Sequence, residues 1–344
     1  MERQYASMAR ISLVIPVYNE EACLRALLDR LYALKSPAGD EYEYVFVDDG
    51  SRDQSLTILK EAASRNPAVK VLSLSRNFGH QVAITAGLDY ASGDAVVIID
   101  ADLQDPPELI PQMAAKWQEG YDVVYARRMV RHGEGLLKRI SASLFYRVLG
   151  SVATLNIPRN TGDFRLMSRR AVLALRQLRE RHRFMRGLST WIGFPQTCVE
   201  YERDPRASGE TKYTLRKMVR LAVDAVVSFS WVPLRLSFYA GLIAIAICGL
   251  YFLAALCLWT FTTYVIPGWL SLATLIVFFG SMQLVTLGIM GEYVGRILDE
   301  VKARPLYFLR ETANVAQQEN SADMGATGKA APTHHKPGAS CQDG

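Results

Sequence analysis

Two periods of apolar residues alternate along the first hundred positions. "ISLVIPV" (Ile11–Val17) is a continuous apolar run of strand length, and Leu24, Leu27, Leu28 and Leu31 follow it at helical spacing. Asn19 stands where a helix cap belongs, with Glu20 and Glu21 in the first turn. "YEYVFVDDGS" reads as a second strand ending in Asp48 and Asp49, after which Asp53 opens a helix carrying Leu56, Leu59 and Ala63. "AVKVLSLS" gives a third strand, "NFGHQVAITAGLDYA" a third helix and "DAVVIID" a fourth strand. This alternation predicts an α/β domain with a mainly parallel sheet and helices on both faces. Runs such as "VVII" suit strands buried on both sides. In such sheets the ligand crevice lies beyond the carboxyl ends of the strands. Those ends hold Pro16 to Tyr18, Asp48 and Asp49, Ser75 and Arg76, and Asp100 to Asp102.

The second half changes character. Leu236 to Gly291 is a run of 56 residues without a single charge. One straight helix of that length would measure roughly 84 Å, against a hydrocarbon core of about 30 Å. Two spans fit, 234–264 and 268–292, broken at "VIPGW". Ahead of them, "TLRKMVRLAVDAVVSFSWV" places Arg216, Arg220 and Asp224 on one helical face. Leu215, Met218, Ala222, Val226 and Phe229 lie on another. Residues 213–233 are therefore expected to form an amphipathic helix at the membrane surface. Basic residues flank both spans (Arg216, Lys217, Arg220 and Arg235; Arg296, Lys302 and Arg304) and none lies in the linking turn. The positive-inside bias then puts residues 1–212, the segment 293–312 and both termini in the cytoplasm. The short polar N-terminus gives no signal peptide. The tail 313–344, rich in Ala, Gly, Gln, Asn and Ser, is expected to be disordered.

Charge sharpens this layout. Residues 1–126 carry 11 basic and 19 acidic side chains, a net of −8. Residues 127–235 carry 22 and 8, a net of +14. A middle segment so basic must meet something anionic. The five cysteines are scattered, with no C-x-x-C pair, and the five histidines form no ligand spacing. Asp100 and Asp102, two apart at a strand end, can face one site and suit a hard cation such as Mg²⁺ or Mn²⁺. The alternative is that acids here cap the helix begun at Pro106 and Pro107, and Asp105 is read that way. A dinucleotide fingerprint is absent: the first strand-to-helix turn reads P-V-Y-N-E-E where G-x-G-x-x-G would be needed.

Six motifs in order, "IPVYNEE", "VDDGSRD", "RNFGHQ", "DADLQDPPE", "NTGDFRLMSR" and "RASGETKY", resemble polyprenyl-phosphate glycosyltransferases, the membrane-attached members of glycosyltransferase family 2. The resemblance spans roughly residues 10–312. It implies a GT-A domain, a nucleotide-sugar donor, a polyprenyl-phosphate acceptor and inverting transfer. It further implies a bacterial inner-membrane protein that acts as a homo-oligomer without nucleic acid. By motif position, Pro16, Tyr18, Glu20, Asp49, Asp100 and Arg128 correspond to donor-binding residues, and Asp102 and Gln104 to ligands of Mg²⁺ or Mn²⁺. Arg206 and Lys212 correspond to cations on the departing diphosphate, while "RASGETKY" by itself reads equally well as a basic turn. Asp163 corresponds to a catalytic base or to a residue positioning the acceptor. Its residues alone also allow a structural pair with Arg165 or Arg169. The motifs look closest to the bactoprenol glucosyl branch, which makes UDP-glucose the expected donor. UDP-4-formamido-arabinose, a UDP-N-acetylhexosamine and GDP-mannose stay open. A processive polysaccharide synthase would need Q-x-x-R-W, and "QMAAKW" has the wrong spacing. A non-enzymatic scaffold would not need the intact acids.

Overall fold

The computed structural model describes residues 8–35, 39–129, 161–181, 183–201, 232–261 and 268–315. The strands are β1 (Arg10–Val17), β2 (Glu41–Asp48), β3 (Val69–Leu74), β4 (Ala95–Ile98), β5 (Val123–Arg128), β6 (Thr161–Ser168), β7 (Gln196–Tyr201) and β8 (Leu309–Ala313). The helices are α1 (Glu21–Tyr32), α2 (Ser55–Arg65), α3 (His80–Tyr90), α4 (Ile110–Gln118), α5 (Arg169–Gln177), α6 (Met185–Trp191), α7 (Val232–Phe261) and α8 (Gly268–Val301).

All eight strands form one sheet in the order β7-β5-β6-β4-β1-β2-β3-β8. The expected parallel centre is present as β3-β2-β1-β4. β6 enters antiparallel between β4 and β5, and β8 closes the far edge antiparallel to β3. Alternation along β1 explains its two-sided burial. Ile11, Leu13 and Ile15 share a core with Leu24, Leu27 and Leu31 of α1 and with Met113 and Trp117 of α4. On the other face α3 comes so close that a Cβ on Gly87 would stand 2.3 Å from Val14 Cγ1. Gly50 allows a second close approach. It has φ +70°, and a Cβ there would lie 2.6 Å from the Arg76 carbonyl carbon, so the β2 and β3 exit loops can touch.

Helices α1 and α2 cap each other, contrary to the expected cap at Asn19. Asn19 takes a left-handed φ of 56° and its Oδ1 accepts from the Arg52 amide at 2.8 Å. The Glu21 amide donates to Asp53 Oδ2 at 3.2 Å, and the Gln54 amide donates to Glu21 Oε2 at 2.9 Å. This exchange ties the turn after β1 to the turn after β2.

Glu43 on β2 is buried and holds three elements together. Its carboxylate accepts from Ser12 Oγ, from the Ser92 amide at 3.0 Å and Oγ at 2.6 Å, and pairs with Lys70 Nζ at 2.5 Å. Burial opposes its ionisation, but these partners win and hold it at about 2. Glu43→Gln is expected to cost about 2–3 kcal/mol of stability at neutral pH. The wild-type advantage is complete above the unfolded value near 4.5 and fades as pH falls towards 2. Thermal unfolding of both proteins between pH 7 and pH 3 checks this: the gap should narrow only in acid.

α7 and α8 contain apolar stretches of 21 residues (Leu234–Ala254) and 28 residues (Thr274–Val301), long enough to cross a membrane. α8 runs past the expected end at 292 and carries Glu292 and Arg296 as an i,i+4 pair. The chain then returns to the sheet as β8, an element the sequence pattern did not predict. Lys60 pairs with Glu311 at 2.6 Å, and Asn314 Nδ2 donates to the carbonyls of Ala63 and Val69. Ala313 and Asn314 thus belong to the sheet rather than to the tail. Residues 213–231 of the expected amphipathic helix lie outside the described residues, as does the tail beyond 315.

Candidate functional site

The exits of the strands enclose a cleft of about 610 Å³. Its wall is assembled strand by strand. β1 delivers Pro16 and Tyr18, and the following turn delivers Glu20. β2 ends with Asp49, and the loop after β3 brings Asn77, Gly79 and His80. Asp100 and Asp102 follow β4. β6 pairs Ile98 with Arg165, and continuing that register sets Asp163 opposite Asp100. Arg128 closes the wall from β5, and Arg186 from the first turn of α6. Eight side chains singled out in the sequence therefore meet in one place: Pro16, Tyr18, Glu20, Asp49, Asp100, Asp102, Arg128 and Asp163. Arg206 and Lys212 lie outside the described residues. Gln104 is not among the residues that line the cleft; it is 5% exposed, and its Oε1 accepts no hydrogen bond.

Each acid has a different environment. Asp49 accepts from the Phe78 amide at 2.7 Å and the Gly79 amide at 2.9 Å, so it shapes the loop that carries His80. Burial, with the neighbouring charge of Asp48, still raises its pKa. Asp102 Oδ1 accepts from the Gln104 amide at 3.1 Å across Leu103, which has a left-handed φ of 60°. A branched residue held there is strained, and such strain is expected where side chains must be aimed. Among the described residues Asp100 Oδ1 is buried without a hydrogen bond, and His80 Nε2 stands 3.5 Å away. Burial, then the like charges of Asp163, Asp105 and Asp102, push Asp100 up to about 6 against the opposing pull of His80.

Asp163 is the opposite case. Its Oδ1 accepts from Arg186 Nε at 3.0 Å. Its Oδ2 accepts from Gln81 Nε2 at 3.0 Å, with His80 Nε2 at 3.3 Å. Burial opposes the charge, yet His80, Arg186 and Arg165 hold the carboxyl well below its ordinary range. The carboxylate does not pair with Arg165 or Arg169. Arg165 donates to the Asp163 and Gly162 carbonyls and to Ser189, and Arg169 to the Ala91 carbonyl. Asp105 is no helix cap either. It is fully buried, accepts from Tyr201 and lies 3.6 Å from Arg128 Nη2.

A buried carboxylate with an oxygen unpartnered among the described residues, beside a second carboxylate, fits a divalent cation, which would offset the burial and like charges that raise Asp100. Among the described residues no three His, Cys, Asp or Glu side chains form a group that could by itself hold a metal ion. A cation at Asp100 and Asp102 would therefore complete its shell with ligand oxygens, as hard cations on phosphates do. His80, Gln81 and Arg186 were not foreseen as site residues.

The family model for glycosyl transferase family 2 matches residues 12–176. A glycosyltransferase of Bacillus subtilis, YkcC, described as uncharacterized, is 49% identical over 304 residues, covering 88% of this chain and 94% of that one. The Synechocystis glycosyltransferase sll0501, also described as uncharacterized, is 48% identical over 302 residues, covering 88% and 95%. The SfII prophage-derived bactoprenol glucosyl transferase of Shigella flexneri is 42% identical over 303 residues, covering 88% and 98%.

Proposed function

Since the chain belongs to glycosyl transferase family 2, we propose that it moves a sugar, with inversion, from a nucleotide diphosphate to the phosphate of a membrane polyprenyl. UDP-glucose is the proposed donor, after the glucosyl transferases among its relatives. The fold is the GT-A α/β fold and the chain is a glycosyltransferase. The observation that carries the fuller reading is the cleft, which joins carboxylates for a cation to cations for phosphate, in a chain that also carries two apolar helices.

The proposed roles follow from position. Pro16, Tyr18 and Asp49, on the β1 and β2 side, bracket the nucleotide. Asp100 and Asp102 would hold Mg²⁺ or Mn²⁺, which supplies positive charge to the departing diphosphate. Arg128 faces the same cleft, fixed by Tyr201 through Nε at 3.1 Å. Glu20 borders the pocket from the α1 turn, and Arg206 and Lys212 would add charge from the basic loop. In the step itself one acceptor phosphate oxygen bonds to the anomeric carbon from the face opposite the diphosphate. The bond from that carbon to the diphosphate oxygen breaks, and its electron pair leaves with the nucleotide. A phosphate monoester with a second pKa of about 6 is already anionic at neutral pH and needs no base. The two apolar helices would anchor the enzyme in a bacterial inner membrane with the cleft on the cytoplasmic side.

The full-length protein in lipid nanodiscs, given UDP-glucose with and without polyprenyl phosphate, tests this. Label should pass into lipid only when acceptor and divalent cation are both present. Failure to label polyprenyl phosphate from any nucleotide sugar would sink the reading.

A further inference from the structure

Arg186 is a cation in the cleft that the reaction above leaves without a task. It stands at the second position of α6, and about a third of its side chain is exposed (32%). Its Nε donates to Asp163 Oδ1 at 3.0 Å. Among the described residues neither terminal nitrogen of the guanidinium has a hydrogen-bond partner, so the outer edge of the fork is open to the cleft. A guanidinium pinned through Nε presents two parallel donors in fixed geometry, the arrangement that matches two oxygens of a phosphate.

Position says which phosphate. The nucleotide residues sit on β1 and β2, and the cation carboxylates follow β4. Asp163 lies one strand further, on β6, with Arg186 beside it, and Arg128 stands beyond them on β5. Five residues before Arg186, the segment joining α5 to α6 is fastened to the end of α8. The Arg181 amide donates to Glu300 Oε1 at 2.8 Å, and Arg181 Nη2 donates to the Arg304 carbonyl at 2.7 Å. Glu300 and Arg304 lie at the foot of the apolar stretch Thr274–Val301. A phosphate whose hydrocarbon chain lies in the bilayer would reach the cleft along this side.

We propose that Arg186 receives the phosphate of the lipid acceptor, and that Asp163 is a positioning residue that aims it. This rests on the reading of a polyprenyl-phosphate acceptor. Both oxygens of Asp163 are committed, one to Arg186 and the other to Gln81 and His80, so the carboxylate is a fixed anchor for the donors around it. The acceptor phosphate then sits between the Arg186 fork and the anomeric carbon, on the face away from the diphosphate.

Steady-state kinetics of full-length Arg186→Met and Arg186→Lys in nanodiscs, varying donor and polyprenyl phosphate separately, test the assignment. Arg186→Met should raise the KM for polyprenyl phosphate about 10–100-fold, the scale of one charged hydrogen-bonded contact. Arg186→Lys should recover part of that loss, and it carries the comparison should the methionine variant not fold. The KM for donor, and the thermal shift produced by UDP with Mn²⁺, should stay at wild-type values. An unchanged acceptor KM overturns the proposal, and so does weakened UDP binding, which would give Arg186 to the donor. Wild-type enzyme inactive on polyprenyl phosphate would overturn the underlying reading and this proposal with it.

Discussion

Asp102→Asn is expected to lower kcat about 10²–10³-fold while the fold stays intact. Asparagine keeps an oxygen where Asp102 Oδ1 accepts from the Gln104 amide, so the turn across Leu103 has no reason to change. What disappears is one unit of negative charge at the mouth of the cleft. That charge is what a divalent cation and the diphosphate would use there. The loss should therefore appear in two readouts. Turnover falls, and the Mn²⁺-dependent stabilisation by UDP shrinks or vanishes. The unfolding temperature without ligand should move by no more than about 2 °C. Asp100 offers a check on the cause. Burial and neighbouring acids push it up to about 6, and removing the Asp102 charge takes away one of those acids. Asp100 then ionises more readily in the variant, so its protonation cannot explain lost activity near neutral pH. Wild-type turnover that still requires Mg²⁺ or Mn²⁺ would remove Asp102 from the cation site.

The β1, β2 and β4 side of the cleft was legible because burial there writes itself into composition. β1, the end of β2 and β4 are covered on both faces, so they read as apolar runs, and polar residues just after them line the cleft. Asp49, Asp100 and Asp102 were found that way. The β6 side was hidden by topology. β6 is buried along its whole length although it contains Thr161, Asp163 and Arg165, and Asp163 and Arg165 meet partners distant in sequence, among them Gln81, Arg186 and Ser189. Its antiparallel entry between β4 and β5 is a long-range pairing with no local signal. His80 stood in a quoted motif, but a lone histidine shows nothing until Asp100 and Asp163 are placed beside it. Arg186 is one of 22 basic residues in the middle segment, and sequence cannot say which of them faces a cleft. Asp105 was misread for a related reason: local sequence suggests a cap, whereas its partners Tyr201 and Arg128 come from other strands. β8 escaped notice because a short half-buried edge strand such as "LRETA" has little apolar content. Its one clue was alternation, with Leu309, Glu311 and Ala313 partly buried and Arg310 and Thr312 exposed.

Asp163→Asn separates a positioning residue from a general base. Asparagine has the same shape, but only one oxygen, while donors stand against both oxygens of the native carboxylate. Whichever way the amide is turned, its NH₂ group meets Arg186 on one side or Gln81 and His80 on the other. Arg165, buried and held down to about 10, also loses its nearest compensating charge. Stability should fall by about 2–4 kcal/mol, the range for breaking a buried charged contact. The wild-type carboxyl is held below its ordinary value, so its contribution is full above about pH 4 and is lost only in more acid solution. His80, whose pKa Asp163 raises, loses that partner in the variant, so from pH 5 upward the stability gap between wild type and variant should narrow as pH rises through the His80 titration. Kinetics then decide the role. A general base would take kcat with it and leave the acceptor KM untouched. A residue that aims Arg186 raises the acceptor KM as Arg186→Met does, on the order of 10-fold or more, because a freed guanidinium no longer meets the phosphate. In the double variant the two losses should not add, since Asp163 has nothing to aim once Arg186 is gone. Additive losses, or a kcat defect with a wild-type acceptor KM, would return Asp163 to the role of base.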